Sequence, residues 1–246
     1  TSPALGPIGS FTAAFSNDPR VKESIETSAP LLLVAGGTFL VFLFFHWLFM
    51  EPKNYGLRTE PFFQKQSVWF YAVVSILLAV LVWFGLKENP LMAFGAVMGS
   101  TGFFIIDGFK QNAQEEEQKL IEGKSGRSDI SKIFYLEMVD AAFSIDGVLG
   151  AFAFTLFVPI ILVGNGLGAI VLRQLTVSNI DKIREYRFLK NGAMYSVLFL
   201  GSIMILNSFG YHIPEWLSPI ITFIIVGYFF FKSKNALKYG SKKYKE

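Results

Sequence analysis

Long apolar runs separated by short polar stretches make up most of the chain. Several of these runs approach or reach the roughly 20 residues that a helix needs to cross about 30 Å of hydrocarbon. Because lipid offers no partner to an unpaired backbone amide, helices are expected to carry the fold. The pattern predicts seven membrane spans, at residues 30–50, 67–86, 91–109, 133–158, 159–177, 192–209 and 215–231.

The composition supports this interpretation. Hydrophobic residues make up 52% of the 246 positions, 27 residues are Phe, and the mean hydropathy is +0.45. These values lie outside the range of ordinary water-soluble domains. The predicted fold class is therefore all-α, a polytopic transmembrane helical bundle. The chain has no cysteine, which excludes disulfides, thiolate metal sites and thiol catalysis.

The basic residues predict the topology. Short cytoplasmic loops collect Lys and Arg, and the seven spans place 19 of the 22 basic residues on one side. The three on the other side are Arg20, Lys22 and Lys87. The N-terminus is then outside and the C-terminus cytoplasmic. The net charge of +3 follows from this topology, and no basic surface interleaved with aromatic residues suggests nucleic acid as a partner.

The predicted organisation has three parts. Residues 1–29 form an extracytoplasmic segment with a short helix leading into the membrane, residues 30–231 form the transmembrane domain, and residues 232–246 form a basic cytoplasmic tail. Within the domain, residues 110–132 form the longest cytoplasmic loop, whose first half is expected to extend the third helix into water. Two small-residue spacings, Gly95 with Gly99 and Gly164 with Gly168, predict close helix packing.

One predicted span is acidic. The stretch "FYLEMVDAAFSIDGVLGAFAF", residues 134–154, carries Glu137, Asp140 and Asp146. Each acid near the centre of an isolated span costs roughly 2.5 to 3.5 kcal/mol, whereas each Leu, Ile, Phe or Val returns only about 0.3 to 0.6 kcal/mol. This helix must therefore be enclosed by others, with its carboxylates facing protein, water or a cation.

Helical geometry divides the acidic residues between two faces. At 100° per residue, Glu137, Asp140 and Ser144 lie within about 60° of one another, and Asp146 falls on the opposite side. A break or local unwinding at Gly147 and Gly150 would bring Asp146 round to the others, and discontinuous helices of this kind are typical of transporters. The sequence therefore predicts a broken or distorted helix at this point.

Oxygen ligands without Cys suit a hard divalent cation such as Mn²⁺, Mg²⁺ or Ca²⁺. The predicted metal site contains Glu137, Asp140, Ser144 and Asp146. The alternatives are a proton relay or a structural ion pair, with Arg173 as the best partner for such a pair.

Three further residues are weaker metal candidates, each with a simpler explanation. Asp107 is predicted one turn from the cytoplasmic surface, where solvation accounts for a carboxylate. His46 lies beside Trp47, as expected in an interfacial aromatic belt. Asn165 stands between two glycines, where an interhelical hydrogen bond would satisfy its amide as well as a ligand would.

The acidic segment also resembles a known family. "YLEMVDAAFSIDGVLGAFAF", followed by "GLGAIVLRQLTV" and "EYRFLKNGAMYSV", is similar to the second half of the TerC-like integral membrane proteins, in the large branch catalogued as a domain of unknown function. The similarity runs from about residue 6 to residue 234 and includes "AGGTFLVFLFFHWLF". This resemblance implies a transporter related to the lysine exporter superfamily. The name of the family refers to tellurium resistance, and better understood relatives are associated with Mn²⁺ export.

The chain departs from the family pattern in two respects. Relatives carry an earlier acidic helix of the form E-x-x-L-S-x-D-N, and nothing here matches it, so the chain is expected to be a C-terminal portion. His46 stands where relatives usually have Asp. Lys190, Asn191 and Met194 replace Glu and His residues near the start of the sixth span.

The leading functional hypothesis is secondary transport of a divalent cation, most simply Mn²⁺ export, by a protein of the bacterial inner membrane. The protein is not expected to be an enzyme, and no catalytic residue or bound cofactor is predicted. The expected partners are membrane lipid and the cation, with a second copy of the chain or a missing N-terminal portion as further candidates. One alternative is a scaffold or subunit of a metal or tellurite stress-resistance complex. The other is an intramembrane aspartyl protease, because Asp107 and Asp146 both precede Gly.

Overall fold

The computed structural model describes residues 19–121, 158–214 and 216–243. Within these residues it contains seven helices and no strand, as the predicted all-α class requires. The helices are α1 (Pro19–Phe49), α2 (Glu60–Lys65), α3 (Trp69–Glu88), α4 (Pro90–Ile121), α5 (Val158–Glu185), α6 (Leu189–Ser208) and α7 (Leu217–Lys243).

Five of these helices are long and apolar enough to cross a membrane. The stretches concerned are Ser28–Phe49, Trp69–Glu88, Pro90–Phe109, Leu189–Ser208 and Leu217–Leu237. They correspond to five of the seven predicted spans. The prediction of an integral membrane protein is therefore confirmed by the length and composition of these helices. The predicted span 133–158 lies outside the described residues. The predicted span 159–177 falls within α5, whose apolar part, Pro159–Val171, is short for about 30 Å of hydrocarbon.

Two helices extend beyond the predicted spans. α1 begins at Pro19 and continues through Pro30, where the sequence predicted the span to start. An internal proline removes one backbone hydrogen bond, and a helix packed against neighbours tolerates that loss. The predicted short helix and the first span are therefore one helix. α4 runs on to Ile121, which confirms that the third predicted helix continues beyond its apolar part.

α1 lies at the centre of the bundle and packs against helices on two faces. α4 contacts one face and α6 contacts the opposite face. The contact with α4 is aromatic, since the Phe103 ring meets Phe39 at 6.0 Å and Phe42 at 5.8 Å in edge-on arrangements. Edge-on pairs of this kind are favourable for aromatic rings. α1 therefore connects two halves of the bundle.

Glycines allow the backbones of these helices to approach closely. A Cβ atom at Gly99 would lie 2.1 Å from the carbonyl oxygen of Ala35, and one at Gly201 would lie 3.0 Å from that of Gly37. The prediction that Gly95 and Gly99 allow close helix packing is thus confirmed. Around Gly164 and Gly168, by contrast, no atom of the described part of the chain lies within 4 Å of an added Cβ.

The connection between α1 and α3 lies over one end of the bundle. We call residues 51–65, which include α2, the strap. It leaves the end of α1 and contacts both α6 and α7 before α3 begins. The sequence predicts that this end of the bundle is the basic, cytoplasmic one.

Candidate functional site

The central residues of the predicted metal site, Glu137, Asp140, Ser144 and Asp146, lie outside the described residues. The structure describes the other three candidates, His46, Asp107 and Asn165. It also contains a buried carboxylate that the sequence did not predict.

His46 and Asp107 lie together between α1 and α4. His46 Nε2 is 3.5 Å from Asp107 Oδ1, and the two side chains are only 15% and 18% exposed. The imidazole packs against the rings of Phe70, at 5.5 Å, and Phe103, at 5.9 Å. His46 therefore lies within the bundle rather than in a lipid-facing belt, and Asp107 is largely shielded from solvent.

Asp107 has a second polar neighbour. Gln111 Nε2, one turn further along α4, donates a hydrogen bond to Asp107 Oδ2 at 2.9 Å. Each carboxylate oxygen thus faces a different nitrogen-bearing side chain. This arrangement fixes the plane of the carboxylate and leaves its Oδ1 directed at the imidazole.

Asn165 is not part of this pair. It lies on α5 and is partly buried. α5 packs closely against none of the other described helices. Within the described ranges no group of three or more His, Asp or Glu side chains is close enough to hold a metal ion. His46 and Asp107 are therefore two candidate ligands that would need others to complete a site.

The unpredicted carboxylate belongs to Glu60, in the first turn of α2. Glu60 is 0% exposed. Its Oε2 accepts hydrogen bonds from the Gly56 amide, at 2.7 Å, and from Asn191 Nδ2, at 2.9 Å, while Oε1 accepts one from the Tyr195 hydroxyl at 3.2 Å. Three donors directed at one carboxylate satisfy its hydrogen-bonding capacity in a buried position.

Lys53 joins the strap to the end of α1. Its Nζ donates to the carbonyl oxygens of Trp47, at 2.6 Å, and Leu48, at 2.5 Å, and lies 4.1 Å from the centre of the Trp47 ring. A cation at a helix C-terminus is favoured by the helix dipole, and the indole face adds to the attraction. Burial nevertheless lowers the pKa of Lys53 to about 8. The negative charges of Glu60 and Glu51 raise this pKa, but their effect is smaller than that of burial.

α7 contacts the strap at Gly56. Lys232 Nζ donates a hydrogen bond to the Gly56 carbonyl oxygen. A Cβ at Gly56 would lie 2.6 Å from the Phe229 ring and 2.8 Å from Asn191 Nδ2, so a larger residue here would have to displace one of these side chains. The ring of Phe229 in turn stacks on Tyr195, with 6° between their planes. Gly56 and Glu60 thus connect the strap to both α6 and α7.

Comparison with known proteins gives a family. The family model described as "Protein of unknown function (DUF475)" matches residues 1–238, nearly the whole chain. The chain belongs to the DUF475 family. No curated protein and no solved structure matches the sequence of this DUF475 protein. The match confirms that the chain belongs to a family of unknown function, and the TerC-like assignment stays a prediction.

The two polar clusters of this DUF475 protein have different chemical capacities. Both oxygens of Glu60 accept hydrogen bonds from protein donors, so this carboxylate connects the strap to α6. The His46–Asp107 pair offers an imidazole nitrogen and a carboxylate oxygen, which are ligands that divalent transition metals accept. No pattern in the sequence indicated a buried carboxylate at Glu60, because "GLRTEPFFQ" has the composition of an exposed loop.

Proposed function

We propose that this DUF475 protein is a membrane transporter for a divalent metal cation, with Mn²⁺ export as its function. The observation that carries the proposal is the presence of Glu137, Asp140 and Asp146 within one apolar segment. Ionisable residues inside a membrane are costly and commonly mark ion pathways. The resemblance of the same segment to TerC-like proteins, some of which export Mn²⁺, supports this choice of ion.

The helices that the structure describes support the same proposal. The chain has five described helices of membrane-spanning character, which could enclose a sixth, polar helix. The hard oxygen ligands of the segment suit Mn²⁺, and Ser144 adds a neutral oxygen. In this proposal the carboxylates replace the hydration shell of the ion and release it when the helices rearrange.

The His46–Asp107 pair adds two ligands of suitable kind. The atoms of the pair are 3.5 Å apart and mostly shielded from solvent. Mn²⁺ binds carboxylate oxygen and also accepts imidazole. We propose that the pair contributes to the same ion pathway, on the cytoplasmic side of the acidic segment, in a bacterial inner membrane.

The test is Mn²⁺ flux into proteoliposomes that contain the purified full chain. Asp146→Asn and Glu137→Gln remove one negative charge each with little change in shape, and each is expected to abolish flux. Glu88→Gln serves as the matched control, because Glu88 is exposed at the end of α3. Thermal unfolding of every variant in detergent checks that the fold is intact. Unchanged Mn²⁺ flux in both folded acidic-segment variants would refute the proposal.

A further inference from the structure

The strap lies at a membrane surface, because it joins two membrane-spanning helices. The spanning stretch of α1 ends at Phe49, and that of α3 begins at Trp69. Irregular backbone that faces lipid does not occur within the hydrocarbon region, so the connection between the two spans lies at the level of the headgroups or outside them. Hydrogen bonds to α6 and α7 hold the strap against the ends of these helices.

The inner side of α2 packs against the rest of the protein. Glu60 is fully buried against α6, and the ring of Phe63 meets the ring of Phe49 edge-on at 5.5 Å. Gln64 Nε2 donates a hydrogen bond to the Glu51 carbonyl oxygen at 3.2 Å. These contacts determine which side of α2 faces away from the bundle.

The outer side carries exposed apolar side chains. Phe62 of α2 is 64% exposed, and just after the strap Val68 is 82% and Trp69 is 60% exposed. Trp69 follows α2 closely, since its amide donates a hydrogen bond to the Gln66 carbonyl oxygen at 2.9 Å. Aromatic residues are enriched at membrane–water interfaces, and segments that lie in the interface insert such side chains between the headgroups. The outer side of the strap therefore has the apolar groups of an interfacial segment.

The charged residues of the strap are separated by sign. Both of its acids face protein, since Glu60 is buried and Glu51 Oε2 forms an ion pair with a lysine of α6 at 2.5 Å. Lys53 is directed at the carbonyl oxygens that end α1. The two charged residues of the strap that are exposed are Arg58 and Lys65, which lie on either side of α2. The exposed charge of the strap is thus positive.

We propose that the outer side of the strap binds the headgroups of anionic phospholipids at this membrane surface. Phe62 and Trp69 enter the headgroup layer, and Arg58 and Lys65 pair with the anionic headgroups. Each Lys or Arg near an anionic membrane surface strengthens binding roughly fivefold. Two such cations predict a preference of about 20-fold to 30-fold over lipid without net charge. This inference is independent of the ion that the protein is proposed to transport.

Quenching of Trp69 fluorescence by brominated lipid measures this preference at the strap. The full chain is placed in phosphatidylcholine vesicles that contain either brominated phosphatidylglycerol or brominated phosphatidylcholine at the same fraction. The chain has four Trp residues, so the signal of Trp69 is the difference between each chain and the same chain with Trp69→Phe. We expect phosphatidylglycerol to bind about 20-fold to 30-fold more tightly than phosphatidylcholine. The preference should fall strongly in 1 M salt, where the Debye length is about 3 Å.

Charge-neutral variants test the two cations. Arg58→Gln and Lys65→Gln should each lower the preference for phosphatidylglycerol about fivefold, and the double variant should remove it. Lys87→Gln is the matched control, because Lys87 is an exposed cation at the opposite end of α3, 5.0 Å from the centre of the Trp83 ring. This control should leave the preference at Trp69 unchanged. Equal thermal midpoints in detergent check that all variants are folded.

Four results would overturn the proposal. Equal binding of the two brominated lipids would mean that the strap inserts apolar groups without recognising anions. Absence of quenching by either lipid would mean that protein covers the strap, whether another part of the chain or a second copy. A preference that survives in the double variant would place anion recognition elsewhere. Displacement of phosphatidylglycerol by inorganic phosphate, beyond the effect of chloride at the same ionic strength, would assign the surface to a soluble anion.

Discussion

Asn191 Nδ2 donates a hydrogen bond of 2.9 Å to Glu60 Oε2, although the two residues are 131 positions apart in the chain. The same amide group also donates to the Asn54 carbonyl oxygen at 2.9 Å. Both side chains are almost completely buried. One amide thus joins the strap to α6 at two points, and the stability of this end of the bundle depends on the pair.

Replacement of Glu60 is the first prediction. Glu60→Ala leaves the Gly56 amide and part of the Asn191 amide without an acceptor, and we expect a loss of about 2 to 4 kcal/mol in the free energy of unfolding. Glu60→Gln keeps an acceptor for the Gly56 and Asn191 amides and can turn its own amide toward the Tyr195 hydroxyl. We therefore expect it to lower the free energy of unfolding by only about 1 kcal/mol. Thermal unfolding in detergent would rank the variants, and equal effects would contradict the hydrogen-bonding account. Glu51→Gln is the surface comparison and should cost less than about 1 kcal/mol, because Lys190 is 61% exposed.

Close packing between α1 and α4 gives the second prediction. In Gly99→Ala the new methyl group would lie 2.1 Å from the Ala35 carbonyl oxygen, so the two helices must separate. Overpacking of this kind costs about 1 to 3 kcal/mol. Gly102→Ala is the matched control on the same helix, because its methyl group would meet Phe39 at an ordinary 3.9 Å. Thermal unfolding should show a lower midpoint for Gly99→Ala only, and similar midpoints for both variants would refute the packing argument.

The pH dependence of stability forms the third prediction and concerns Lys53. Burial lowers the pKa of Lys53 from 10.5 to about 8 in the folded chain. Between these values the unfolded chain binds more protons than the folded one, so this group makes the folded state more stable as pH rises from 8 toward 10.5. Below pH 8 both forms are charged and the dependence disappears.

Lys53→Arg provides the reference for this measurement, because Arg stays charged throughout the range. The thermal midpoint of the unmodified chain should rise relative to that of Lys53→Arg between pH 8 and 10.5. A constant or falling difference would show that Lys53 does not lose its proton in this window.

The fourth prediction concerns the His46–Asp107 pair and depends on the proposed function. If the pair contributes ligands, His46→Gln and Asp107→Asn should each weaken Mn²⁺ binding roughly 10-fold to 100-fold, the usual effect of disturbing the shell of a metal site. His212→Gln is the control, because His212 is exposed and its ring forms a hydrogen bond with the nearby Gly210 carbonyl oxygen. Calorimetry with Mn²⁺ would compare the variants, and equal affinities would remove the pair from the pathway.

Much of the helical architecture could be predicted because membrane insertion imposes a simple rule. Apolar length alone located five spans, and the Gly95–Gly99 spacing located a close helix contact. The first span was placed within two residues of its start, but the short helix before it was predicted as a separate element. The two form one helix, because the cost of Pro30 inside a packed helix cannot be judged without its neighbours. Which helix lies at the centre was likewise not predicted, since hydropathy does not distinguish lipid from protein surroundings.

The polar contacts were harder to predict. His46 and Asp107 were recognised as candidates singly, and their pairing depends on how α1 and α4 are rotated. Glu60 was missed because its local sequence is polar and carries no periodic signal. Its burial is determined by Asn191 and Tyr195, which come from a distant helix. The best clue was the sixth span itself, where Lys190 and Asn191 depart from the pattern of the related proteins.

The glycine contacts on both sides of α1 leave no free space into which a side chain could shift. Sliding α4 along α1 would drive the Ala35 carbonyl into a larger neighbour of Gly99, and sliding α6 would do the same between Gly37 and Gly201. These three helices must therefore travel together as one block. Any large motion in the membrane therefore falls to helices that are attached to this block less extensively, such as α7, which packs closely only on α6 among the described helices.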